Sequence, residues 1–182
     1  MRAKQRAAPE SNFVGLLREQ IRHEFTANQQ YVAAAVWLDA HDLPRLAAHF
    51  YRQALEEHNH AMMMVQYMLD RNISIQIPGV DEVRNDFADV RELIATALQQ
   101  ERVVTVQIEA LFGAARDERD YLGEQFTSWF LKEQVEEIAS MNTLLTVTER
   151  AGADLFKIEE FLSREKVGDD GTDGPPAAGG NL

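Results

Sequence analysis

Apolar residues recur along this chain at alternating steps of three and four, in four long stretches that each present one hydrocarbon face. The first runs from about Ser11 to Leu38 and lines up Leu17, Ile21, Tyr31, Ala35 and Leu38. The second lines up Leu46, Phe50, Met64 and Tyr67; Asp42 is placed to cap it, and Pro44 suits its first turn. The third begins near Asp89, with Glu92 three residues on at a capping-box spacing, and carries Val90, Ile94, Ala97, Val104, Ile108 and Leu111. The fourth begins near Asp120, carries Thr127, Phe130, Met141 and Leu144, and ends before Gly152. A short fifth helix fits Asp154 to Glu165, with Leu155, Phe156, Phe161 and Leu162 apolar. Four helices already fill a bundle, so that last apolar face is expected to bury against other subunits.

Two connections are short, Asp39 to Leu43 and about Asp117 to Asp120, which pairs helix one with two and three with four as antiparallel neighbours. The connection from about Asn72 to Ala88 is long: at about 3.3 Å per residue it spans roughly 55 Å, against roughly 42 Å for a helix of about 28 residues. It can run the length of the bundle, and the alternation of Ile73, Ile75 and Ile77 suits an extended strap with one face on the helices. The expected architecture is all-α: a four-helix bundle with a long crossover between helices two and three and a short C-terminal fifth helix. One domain covers 11–166, after a flexible 1–10 and before a Gly-, Pro- and Asp-rich tail, 167–182, expected to be disordered.

Every stripe is broken by polar residues near its midpoint: Glu24; Glu57 and His60; Glu101; Gln134 and Glu137. Midpoints of a bundle share one level, so four carboxylates, one imidazole and one amide converge on a single buried layer. Unpartnered burial of such groups costs several kcal/mol each, and four carboxylates in one dry layer cannot all stay ionised alone. Two divalent cations would balance them. An oxygen-rich set with one imidazole and no thiolate suits Fe(II) or Mn(II) better than zinc or copper. Two other accounts are a polar network that fixes helix register, and carboxylates turned to solvent. A lone Glu-x-x-His would fit either; interruptions of all four stripes at one level, two of them spaced i, i+3, favour the metal.

Composition narrows the class. With no cysteine among 182 residues, thiolate sites and disulfides are excluded, which fits the cytoplasm. The net charge of −12 repels nucleic acid and draws in cations. No apolar run approaches membrane-spanning length, and 1–10 has no apolar core of a secretory signal.

These residues resemble those of the ferritin-like di-iron carboxylate proteins, in which single Glu residues and Glu-x-x-His pairs project into a bundle core, and within them the bacterial non-haem ferritins. The motifs are Glu24 with Tyr31 seven later, Glu56-Glu57-His58-Asn59-His60, Glu101, and Glu133-Gln134-Val135-Glu136-Glu137. The resemblance implies a ferroxidase and iron store: a homo-oligomeric cage, expected to be a 24-mer, that oxidises Fe(II) with dioxygen or peroxide and keeps it as ferric oxy-hydroxide. It implies that Glu24, Glu57 and His60 hold a first iron and that Glu57, Glu101 and Glu137 hold a second, with Glu57 bridging and Gln134 nearby. Glu56, Glu133, Glu136 and Glu137 match a third iron position. Tyr31 matches a tyrosine that can supply an electron, and Trp129 a tryptophan beside the second iron. Asp117, Glu118, Asp120 and Glu124 fall where ferritins line three-fold channels, although acidic residues also suit a helix N-terminus. Haem bacterioferritins differ: they carry a second Glu-x-x-His where this chain has Gln134-x-x-Glu137, and a haem-binding methionine where it has His58. No haem is therefore expected. The alternatives are a di-iron or manganese oxidase without storage, a haem-binding bacterioferritin-like variant, and a helical interaction module with no enzymatic role.

Overall fold

The computed structural model describes residues 11–164 together with Pro176, Ala178 and Gly179. Five helices account for most of it: α1 Asn12–Asp39, α2 Pro44–Asp70, α3 Val90–Asp117, α4 Tyr121–Ala151 and α5 Phe156–Arg164. As the link lengths require, α1 packs chiefly on α2 and α3 on α4, and α1 also lies against α3. This is the four-helix bundle with a short fifth helix that the periodicity predicts. No helix among the described residues is long and apolar enough to cross a membrane.

The bundle interior is divided. One hydrophobic cluster takes in Tyr31, Leu38, Leu46, Phe50, Ile94 and Met141. The other takes in Leu17, Ile21, Met64, Val104, Ile108 and Phe130. Along each of the four long helices the switch from one cluster to the other falls at the polar interruption: between Ile21 and Tyr31, Ala54 and Met63, Leu98 and Val104, Phe130 and Met141. The hydrocarbon thus forms two plugs with the polar layer between them.

The strap is tied along α1. Arg18 donates to the Ser74 carbonyl at 2.7 Å, Arg22 pairs with Asp81, and Gln30 exchanges two hydrogen bonds of 2.8 Å with the Arg84 backbone. Ile73 and Ile75 pack on the core as their alternation predicts, but Ile77 is 61 % exposed. The apolar alternation outlasts the contact there, and polar bonds to α1 take over.

Helix starts show where local reading succeeds and where it stops. Asp89 accepts from the Glu92 amide at 2.7 Å and Asp120 from Gly123 at 3.2 Å, as expected. Asp42 does not cap α2: it sits at φ 57, and the cap position is Leu43, whose side chain makes no capping bond. The capping acceptor comes from the far end of the chain. The Glu159 carboxylate accepts from the amides of Arg45 and Leu46, both at 2.9 Å. At α1 the cap is local, Ser11 Oγ accepting from the Val14 amide at 3.2 Å, and Glu118 adds to it by accepting from Ser11 Oγ at 2.5 Å and the Phe13 amide at 3.1 Å. Of the four acidic residues near the third joint, Glu118 and Asp120 are therefore engaged at helix starts, and Glu124 pairs with Arg116 at 2.6 Å.

Helix α5 also departs from expectation. Its apolar side does find a partner within the chain: Ile158 is fully buried, and Leu155 and Leu162 pack on the Leu46 end of the core. Phe156, 85 % exposed, and the half-buried Phe161 are left for an outside contact. The expected flexibility of 1–10 and of most of 167–182 lies outside the described residues. Within the tail, Ala178 packs on the second cluster and the buried Gly179 donates to the Met62 carbonyl at 3.1 Å, so this stretch touches the bundle.

The cap assignment is testable. Glu159→Ala removes an anionic acceptor from a helix start, a change of about 1 kcal/mol. The expected result is a Tm lower by about 2–4 °C for a chain of this size. Glu160→Ala, whose carboxylate only pairs with exposed Arg164, should leave Tm nearly unchanged; circular dichroism melting compares them.

Candidate metal centre

The six interrupting residues are all buried: Glu24, Glu57, His60, Glu101, Gln134 and Glu137 are each between 0 and 9 % exposed. Glu24, Glu57 and His60 form the tightest group, with one donor atom from each lying within 4.8 Å of the others. Their i, i+3 spacing on α2 puts Glu57 and His60 side by side across from Glu24 on α1. His60 Nδ1 lies 3.5 Å from Glu57 Oε2 and 3.8 Å from Glu24 Oε2. Both of those Oε2 atoms are buried without a hydrogen-bond partner. Burial, and then the Glu57 charge, pushes the Glu24 carboxyl well above the usual carboxylate range; burial, and then the Glu101 charge, does the same to Glu57. A divalent cation fits this group, since it would ligate the orphaned oxygens and offset the repulsion.

The other half of the layer is held differently. Glu101 Oε1 accepts from the Tyr31 hydroxyl, and its Oε2 from Gln134 Nε2 at 3.3 Å. Gln134 also reaches the Glu101 carbonyl and Thr105 Oγ1, both at 3.2 Å. Glu101 is still raised, because burial outweighs the bonds from Tyr31 and Gln134. Glu137 is pushed up to about 8 by burial and then by the charges of Glu101 and Glu56. Gln53 joins the layer to its flank: its Nε2 donates to Glu56 and, at 3.4 Å, to Glu137 Oε1. Of the residues expected around a third position, Glu56 and Glu133 are partly buried, Glu137 is buried and Glu136 is exposed. Burial raises the Glu56 carboxyl.

The aromatic neighbours divide: Tyr31 meets Glu101, whereas Trp129, expected beside the second iron, meets His60 of the Glu24 group instead. Tyr31 is 1 % exposed and touches Glu101 rather than the Glu24 group. Trp129 meets the His60 ring edge-on at 5.7 Å. His58 leans on Phe25 at 5.7 Å, and Met63 and Met64 belong to the second core cluster.

Three polar residues were not singled out from the sequence. Gln20, 2 % exposed, donates to Glu24 Oε1 at 2.8 Å; its place one turn before Glu24 on the same face was the available signal. Gln53 stands one turn before Glu57 in the same way. His49 is 2 % exposed with neither ring nitrogen bonded, and burial followed by the Arg52 charge lowers it to about 4, so it is neutral. No spacing pointed to it.

Comparison with known proteins identifies the family. Residues 14–151 match the family model for the ferritin-like domain. The chain is similar to "Ferritin BfrB" of Mycolicibacterium smegmatis, 58 % identical over 177 residues that cover 96 % of this chain and 97 % of that protein. It is 57 % identical over 175 residues to "Bacterioferritin BfrB" of Mycobacterium tuberculosis, with coverage of 96 % and 97 %. It is 34 % identical over 143 residues to a "Bacterial non-heme ferritin" of Staphylococcus aureus, covering 79 % of this chain and 86 % of that one. Among solved structures, an open-pore ferritin from the archaeon Archaeoglobus fulgidus superposes with a TM-score of 0.82 at 25 % identity, covering 87 % of this chain and 98 % of that one. The chain therefore belongs to the ferritin family.

Proposed function

We propose that this ferritin is an iron-storing ferroxidase of the non-haem type. It oxidises Fe(II) to Fe(III) with dioxygen or peroxide at a dinuclear centre in each subunit and keeps the product as ferric oxy-hydroxide inside a cytoplasmic 24-subunit cage. The observation that carries this reading is the pair of buried, unpartnered Oε2 atoms of Glu24 and Glu57 beside His60. Glu24, Glu57 and His60 bind one Fe(II). Glu57, Glu101 and Glu137 bind the other, with Gln134 alongside, and Glu56, Glu133, Glu136 and Glu137 take a third. Tyr31, hydrogen-bonded to Glu101, is placed to give an electron to the layer.

The chain's own groups do three things in this chemistry. The two hydrocarbon plugs keep bulk water out of the layer, which strengthens every charge interaction inside it. The raised carboxyls exchange protons for metal on binding. Each Fe(II) converted to ferric oxy-hydroxide gives one electron to the oxidant and releases two protons, and the Glu56 and Glu133 flank is a route outward for both cation and proton. Gln134 is neutral, and its amide is occupied by Glu101 and Thr105. A second metal meets a weaker donor there than an imidazole would be, which favours passing iron onward over keeping it.

A haem-binding variant is the second reading, and one relative's printed name, bacterioferritin, favours it. In that case haem added to the protein gives a stoichiometric Soret band that His58→Ala abolishes.

Glu57→Ala should cut initial oxygen uptake per added Fe(II) at least tenfold while leaving the assembly mass unchanged. Wild-type uptake in this variant removes Glu57 from the mechanism. Iron at the centre should also be transient, so prolonged dialysis against a strong Fe(II) chelator is expected to empty it, as metal analysis would show. The raised carboxyls fix a pH dependence too. Acids whose folded pKa is raised stabilise the fold at low pH and lose that contribution as pH climbs through the folded value. For Glu137 the window runs from 4.5 to about 8. The Tm of the metal-free protein should fall by about 10 °C between pH 5 and pH 8.5, as about 4 kcal/mol would do, and Glu137→Gln should make that fall smaller.

A further inference from the structure

A groove of about 530 Å³ runs over the seam between α1 and α3, lined by His23, Thr26, Gln100, Val103 and Gln107 among others. Its floor connects to the metal centre through one side chain. Gln20 Nε2 donates to Glu24 Oε1 at 2.8 Å and to Gln107 Oε1 at 3.5 Å, so its amide stands between the groove and the carboxylate. Gln20 is itself 2 % exposed. The groove presents no lysine or arginine to an entering cation, and its one carboxylate, Glu92, is paired with Arg84 at 2.8 Å. Gln100 adds a second amide, its Nε2 buried without a partner.

We propose that divalent metal reaches Glu24 through this α1–α3 groove and that Gln20 is the gate. Without metal, the amide N–H end holds Glu24. When a hydrated cation enters past Gln107, rotation of the same carboxamide presents its carbonyl oxygen as a neutral transit ligand and releases Glu24 to bind. An amide suits that role because it offers a donor at one end and an acceptor at the other and adds no charge to a layer that already holds four carboxylates. This inference rests on reading Glu24, Glu57 and His60 as the iron-binding group.

The test separates arrival of metal from its binding. Trp129 lies beside His60, so in a Trp37→Phe background its fluorescence reports metal at the centre. Co(II), which binds without being oxidised under anaerobic conditions, is mixed with the metal-free assembled protein by stopped flow, and equilibrium stoichiometry is measured separately. Gln20→Leu and Val103→Arg should each slow quenching at least tenfold with the stoichiometry unchanged, and Gln20→Glu should restore the wild-type rate or exceed it. Val106→Arg, which adds the same charge to α3 at a 63 % exposed position outside the groove lining, should change the rate less than twofold. A wild-type rate in Val103→Arg overturns the groove as the route, and a wild-type rate in Gln20→Leu overturns the gate. If Gln20→Leu loses stoichiometry, it is Gln20→Glu and Val103→Arg that decide. Failure of the parent protein to bind Co(II) at all overturns the iron-site reading, and the inference with it.

Discussion

Four carboxylates kept out of water between two bodies of hydrocarbon govern how this subunit is built. Each carries a desolvation cost that no single hydrogen bond offsets, and charge adds to it, Glu57 raising Glu24 and Glu101 raising both Glu57 and Glu137. The helices nevertheless hold Glu24, Glu57, Glu101 and Glu137 at one level, because the residues above and below them are anchored in two separate clusters. The plugs supply the stability, and the layer between them is left free to be unfavourable without metal. That division explains why the residues in the layer are only partly satisfied: Glu101 has Tyr31 and Gln134, while one oxygen each of Glu24 and Glu57 has nothing. Strain of this kind is what a cation relieves.

Much of this was legible in the chain itself. Periodicity located all four long helices to within a residue or two, and link lengths gave their pairing, because both depend on local spacing alone. The polar layer was legible for a related reason: an ionisable residue on an apolar stripe is conspicuous at any position, and four at one level leave few arrangements. What escaped was long-range and singular. Nothing near Pro44 announces that Glu159 will cap α2, since the two are brought together only by the packing of α5. Asp42 was the better local candidate and lost to it. Ile77 kept the strap's alternation but not its contact. Gln20 and Gln53 looked like ordinary amides until their neighbours were known, because glutamine on a helix face is common and its meaning lies in what it touches.

The two halves of the layer are unequal in a way that follows from single residues. His60 stands on the α1–α2 side; the matching place on α4 is Glu137, with Gln134 before it. One half therefore offers an imidazole and bare carboxylate oxygens, and the other offers a carboxylate already bonded to a tyrosine and an amide. Gln53 then links Glu137 outward to Glu56. The polar character fades gradually in that direction, whereas toward either plug it stops at once.

The caps supplied from a distance bear on how the subunit comes into being. Helix α2 is complete in sequence by Asp70, yet the acceptor for its first amides is Glu159; α1 has a local cap in Ser11, to which Glu118 adds a bond from the Phe13 amide. A chain emerging from the ribosome thus carries α2 without its capping carboxylate until residues far downstream have followed. The order of synthesis makes α5 the closing piece. Its docking onto α2 and α4 is what brings the missing carboxylate to the start of α2.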